Sequence, residues 1–146
     1  MKVRCIYNTG EVLRAYENKP LNKDEFGRFG VSGNSEFNEI TIGTEYLVMG
    51  LIIFETYQAY LIDDNGFISA CPCQLFEVVD SKVNSNWHFR LIEKDEDIYP
   101  FVQVVCGYYE LCFDKKAYEN LIVEKDEESQ RIYFRRKIEL EKELAE

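Results

Sequence analysis

Two thiols flank a proline at Cys71-Pro72-Cys73, in a chain with five cysteines and a single histidine, His88. Three arrangements use closely spaced thiols. A tetrahedral zinc site takes four ligands, so Cys5, Cys106, Cys112 or His88 would have to converge on this pair, and nothing in their spacing predicts that. A redox pair separates its thiols by two residues and sets the first at a helix N-terminus, where the dipole lowers its pKa. Here one residue intervenes and the flanks read as extended. What remains is packing: Pro72 suits an edge or strand-entry position, and alternation sets Cys71, Cys73 and Leu75 on one side. No metal and no cofactor are expected.

The other reactive residue types give the same answer. His88 lies between Trp87 and Phe89, and no nucleophile, base and orienting carboxylate can be assembled around it from spacing, so no catalytic residue is assigned and no enzyme is expected. Gly27, Gly30 and Gly33 invite a phosphate-loop reading. They lack the Gly-Lys-Ser/Thr ending, do not fit G-x-G-x-x-G and follow no clear strand. Asp63-Asp64 and Glu93 to Asp97 offer hard oxygen ligands without calcium-loop spacing and read as solvated turns. Arg131, Arg135, Arg136 and Lys137 form the one basic cluster, spread over more than one helix face among Glu127, Glu128, Glu139 and Glu141. That is a salt-bridged surface rather than a phosphate-binding stripe. Tyr57, Tyr60, Trp87, Tyr99, Tyr108 and Tyr109 remain. Such residues build cores and also dominate binding hot spots, which makes these six the candidates for a binding face.

The elements that must position them follow from pattern. Lys2 to Tyr7 alternates with period two, a strand with one wet face. Residues 8–39 are rich in Gly, Asn, Ser and charge and predict a long loop, functional, irregularly packed or mobile. Ile40 to Phe54 is apolar on both faces and reads as one strand covered on two sides. Tyr57 to Ile62 leads into Asp63-Asp64-Asn65-Gly66, a tight hairpin turn. Cys71 to Asp80, Trp87 to Ile92, Phe101 to Cys106 and Tyr108 to Phe113 read as further strands. Beyond Asp114, an expected N-cap, a short helix carries Ala117, Tyr118, Leu121 and Ile122, and a longer one runs from about Asp126 to Leu144. Strands first and helices last predict an α+β fold.

Length and charge bound the class. A chain of 146 residues is a single-domain length, and 46% hydrophobic residues suffice for a core. The expected domain covers 1–146, mainly β through residue 113 with the loop 8–39, and helical over 114–146. The N-terminus has no signal-peptide pattern and no apolar run is long enough to span a bilayer, so a cytoplasmic protein without membrane contact is expected, its thiols free. A net charge of −10 repels phosphate backbones and favours a basic protein partner over nucleic acid. The oligomeric state is not legible.

Thr41-Ile42-Gly43-Thr44-Glu45-Tyr46-Leu47-Val48, then Tyr60 to Gly66, then Pro72 and Leu75-Phe76-Glu77-Val78-Val79 resemble a pattern in short bacterial and phage proteins with SH3-like barrels. The resemblance covers about a third of the chain and implies a small, strongly bent antiparallel barrel, which the two helices read from the pattern beyond Asp114 would cap. It does not extend to proline-rich peptide binding, because the Ala-Leu-Tyr-Asp-Tyr segment and Trp-Trp pair of signalling SH3 domains are absent. The functional expectation is a non-enzymatic protein-binding module, an acidic immunity-like or regulatory protein that neutralises a basic partner. The second expectation is a small-molecule or nucleotide sensor that uses residues 27–33 as a lid.

Overall fold

The computed structural model describes residues 1–96 and 101–145. Strand β1 (Lys2–Cys5) lies between β2 (Glu45–Leu47) and β6 (Phe76–Asp80), antiparallel to both. A second antiparallel sheet has the order β5-β4-β3-β8-β7, from β5 (Phe67–Pro72) through β4 (Gln58–Asp64), β3 (Gly50–Phe54) and β8 (Val102–Gly107) to β7 (His88–Leu91). Helices α1 (Gly10–Leu13), α2 (Tyr109–Phe113) and α3 (Glu127–Ala145) complete an α+β fold.

Neither sheet closes on itself, so the expected barrel is corrected to two open sheets. Two interrupted strands account for the difference. Residues 40–54, read as one strand, make a turn and then split into β2 and β3, with Val48 and Met49 carrying the chain from one sheet to the other. Cys71 to Asp80 is broken in the same way. After Pro72, Cys73–Leu75 form a 3-10 turn, and β6 begins in the three-stranded sheet.

Strand β4 is the centre of the molecule. Ala59, Tyr60, Leu61, Ile62 and Asp63 are all buried, because alternation sends them into two different cores. Ala59 and Leu61 face a cluster with Ile52, Val105, Leu111, Tyr133 and Leu140. Tyr60 and Ile62 face another with Val3, Cys5, Leu13, Phe29 and Leu75. The hairpin that follows has the expected turn, with Asn65 at φ 48° and Gly66 at φ 94°, the paired positive angles of a type I′ connection.

Residues 8–39 are packed. Leu13, Phe29 and Phe37 are buried in the second core, and the Arg14 guanidinium donates to the carbonyls of Asn22, Lys23 and Glu25. The Glu17 carboxylate accepts from the Arg28 amide at 2.8 and 3.0 Å.

The expected strand at Tyr108–Phe113 is instead helix α2. Its aromatic content favours a strand, but Gly107 has φ 154°, and a Cβ there would lie 2.8 Å from Leu111 and 2.9 Å from the Met49 carbonyl. The chain turns at that glycine and buries Tyr108, Leu111 and Cys112 at the i, i+3, i+4 spacing of a helix, so tertiary packing overrides propensity. Asp114 Oδ1 accepts from the Lys116 amide at 3.1 Å, and the short helix expected after it is present over residues 117–123, with its last five, Glu119–Val123, in π-helical form. Helix α3 matches its expected span. Asp126 Oδ2 accepts from the Ser129 amide at 3.1 Å as an N-cap, and Tyr133 and Leu140 enter the first core.

Candidate functional site

The segment between β6 and β7 is a turn by composition, and its asparagines give it a definite shape. Asn84 Oδ1 accepts from the Asn86 amide at 2.7 Å, an Asx-type turn. That turn aims both side-chain amides at α3, where Asn84 Nδ2 and Asn86 Nδ2 each donate to one oxygen of Glu143 at 2.7 Å. The segment therefore stands off the sheet as one wall of a cleft of about 340 Å³, with α3 as the opposite wall. Trp87, His88, Tyr108 and Tyr109 supply its aromatic lining.

Charge in the cleft is arranged around Arg136. Its Nε and Nη2 donate to Glu110 Oε1 and Oε2, both at 2.8 Å, and Nη1 donates to Glu139 Oε2 at 3.2 Å. The fork-to-fork pair raises Arg136 above its ordinary value and holds Glu110 below the usual carboxylate range. With every nitrogen engaged, Arg136 is a structural cation rather than an open anion site. Burial pushes the Tyr108 phenol well above its ordinary value, so it stays a neutral hydroxyl.

His88 is exposed, with its ring edge-on to Tyr109 at 5.5 Å and to Phe113 at 5.6 Å. The neighbouring Cys112 thiol donates to the His88 carbonyl at 3.4 Å, not to the ring, and burial pushes that thiol up to about 12. The pair therefore has neither the geometry nor the ionisation of a nucleophile and its base.

Beyond His88, β7 is an edge strand among the described residues. The Ile92 amide donates to the Gln103 carbonyl at 2.9 Å, so alternation turns the backbone groups of His88 and Arg90 toward β8 and those of Phe89 and Leu91 outward. The Phe89 and Leu91 side chains are 64% and 57% exposed. Arg90, by contrast, is tied down by its ion pair with Glu96 and a 3.0 Å bond to the Cys112 carbonyl.

Of the six aromatic candidates, Trp87, Tyr108 and Tyr109 meet in the cleft. Tyr60 is a core residue, edge-on to Phe76 at 5.5 Å, its phenol pushed up to about 12 by burial. Tyr57 stacks on Phe54 at 4.7 Å and tilts against Phe29 at 5.6 Å, at the seam between the two clusters. Tyr99 lies outside the described residues.

The remaining candidates have settled partners. All five cysteines are free. Cys71 is buried with Leu75, whereas Cys73 is only half-buried and opens the 3-10 turn. Burial pushes their thiols up to about 12 and about 11. Among the described residues no group of His, Cys, Asp and Glu is placed to hold a metal ion. In the glycine-rich loop Phe29 is buried, Arg28 donates to the carbonyls of Tyr16 at 2.8 Å and Thr56 at 3.1 Å, and Thr56 Oγ1 donates to the Arg28 carbonyl at 2.6 Å. Those bonds tie the loop to the β3–β4 turn.

The basic cluster is paired out, Arg131 with Glu128, Arg135 and Arg136 with Glu110, and Lys137 with Asp63. Sequence reasoning did not single out Asn84, Asn86, Glu139 and Glu143 as cleft residues. The Asn-x-Asn spacing signals a turn, but its meeting with Glu143 spans 59 and 57 residues and has no local signature. Among the described residues no helix is long and apolar enough to cross a membrane. No known protein family, curated protein or solved structure matches this chain.

Proposed function

We propose that the chain is a non-enzymatic protein-binding module that takes a basic partner on the face formed by the aromatic cleft and the adjoining β7 edge. The observation that carries this reading is the convergence of Trp87, Tyr108 and Tyr109 on one cleft beside an open edge strand with Phe89 and Leu91 exposed. Aromatic side chains around a recess are what hot spots are made of, and an open edge offers backbone hydrogen bonds to an extended segment. The net charge of −10 steers a basic protein toward the chain over the range of a Debye length.

The non-enzymatic part rests on the same chemistry. Burial keeps Cys71, Cys73 and Cys112 protonated, and His88 is surrounded by rings rather than by a nucleophile and a carboxylate. The SH3-like reading of the strands through about Phe113 draws its support from the two strands that bend from one sheet into the other, with the 3-10 turn at Cys73–Leu75 in the second bend, and does not extend to closure of the sheets.

The test is affinity capture from the native host with two baits, the wild-type chain and the double variant Phe89→Ser/Tyr109→Ser, followed by calorimetry of the protein retained. A stoichiometric partner held by the first bait and lost from the second is expected. No stoichiometric partner, or one retained equally by both baits, rejects the assignment.

A further inference from the structure

We infer that the cleft between the 84–87 segment and α3 is a receptor for an organic cation, which in the protein-binding reading is the side chain of a lysine or arginine on the partner. The inference rests on that reading for the source of the cation, but the chemistry of the cleft argues for the cation itself.

Three observations point the same way. The lining is aromatic, with Trp87, Tyr108, Tyr109 and His88 around a single recess, and aromatic faces attract cations through their quadrupoles, indole most strongly. Tyr109 is 53% exposed, and its ring is held from behind by His88 at 5.5 Å and Phe113 at 5.1 Å. It is therefore fixed in place before any ligand arrives. The third observation is the charge at the rim. Glu139 and Glu143 line the cleft and Glu110 braces it, against Arg136 alone among the lining cations.

Arg136 decides the sign. A free guanidinium in this position would select an anion. Here its nitrogens are taken by Glu110 and Glu139, so it contributes position rather than available charge. Glu143 gives both oxygens to Asn84 and Asn86, which are neutral, so its charge is not offset as that of Arg136 is by Glu110 and Glu139. The recess of about 340 Å³ is at the small end of ligand pockets and has room for one side chain.

Trp87 is the only tryptophan in the chain, so its fluorescence reports on the cleft directly. The full-length chain is titrated at constant ionic strength with tetramethylammonium, with methylguanidinium and with 3,3-dimethylbutanol, a neutral molecule of similar shape. A saturable change with the two cations and none with the alcohol is expected. Tyr109→Ala and Glu139→Gln should each weaken the cations about three- to fivefold, the size of one exposed cation–aromatic or ionic contact. Tyr16→Ala, an exposed tyrosine elsewhere, should leave them unchanged. A short peptide with one lysine between glycines then separates a peptide side chain from a free amine as the source.

Equal response to the alcohol, reproduction of the signal by sodium chloride, or unchanged affinity in both cleft variants overturns the inference. If captured partner protein binds normally while the cleft ignores all cations, only this inference falls. If cations bind and no protein partner exists, only the protein-binding reading falls.

Discussion

The two faces of β4 carry one device in two settings. On the N-terminal face Asp64 Oδ2 accepts from Thr41 Oγ1 at 2.7 Å and from the Tyr46 hydroxyl at 2.8 Å. On the other face Asp63 Oδ1 accepts from the Tyr133 hydroxyl at 2.9 Å and from Lys137 Nζ at 2.8 Å. Each aspartate thus ties a buried tyrosine to the end of the same strand. The first link spans 18 residues and the second 70, and only Asp63 has a cation beside it. Burial pushes the Tyr46 phenol up to about 12 and the Tyr133 phenol further, each with help from its aspartate. The contrast teaches that the N-terminal core is closed by chain near in sequence, whereas the other core depends on α3, which nothing local puts in place. A polar link inside an apolar contact gives that helix one position, where oily surface alone tolerates sliding.

The most severe way to break the comparison is Tyr133→Ala. Removing a fully buried aromatic and leaving Asp63 without its hydroxyl should cost about 4 kcal/mol or more. Urea unfolding gives the size, and limited proteolysis should cut α3 first. A cost near that of a surface change would mean the helix is held elsewhere.

A smaller effect separates the faces directly. Asp63→Asn should cost about 2 kcal/mol, because it leaves Lys137 facing a neutral group at a buried position, and Asp64→Asn about 1 kcal/mol. Equal costs in paired denaturation curves would show that the two links are equivalent after all.

The smallest effect sharpens the role of α3. Arg136 holds Glu110 below the ordinary carboxylate range, so that pair stabilises the fold fully above about pH 4.3 and loses its contribution as pH falls through the depressed value. Glu110→Gln should therefore cost about 1 kcal/mol at neutral pH and progressively less in acid. A deficit that does not change with pH would remove Glu110 from the account of how α3 is held.

Much of this fold was legible in short stretches. The alternation of β1, the Asn65-Gly66 turn and the capped helix after Asp126 are encoded by residues within a few positions of one another, and each stands where pattern places it. The misread elements depend on distant neighbours. Gly50 begins a new strand at a position where a Cβ would meet Leu111 at 2.6 Å and the Cys106 carbonyl at 2.8 Å, more than fifty residues further along the chain. Tyr108–Phe113 has strand composition and helical packing, and only the sheet beneath it chooses between them. The cleft follows the same logic. Its aromatic residues were visible as types, but Tyr60 and Tyr109 looked alike until one was enclosed and the other left open. The carboxylates opposite Trp87 came from a helix whose facing side the sequence did not specify.

Adjacent aspartates on a strand enclosed from both sides act as a registration mark. If β4 paired one residue out of step, one aspartate would take the other's place, the second would be carried away from both tyrosine hydroxyls, and every apolar side chain would change sides. A misthreaded hairpin would therefore be rejected by one unpaired acidic group in addition to the apolar mismatch. Sequences descended from this one should tolerate exchange among their aliphatic residues far more readily than transposition or loss of this acidic pair.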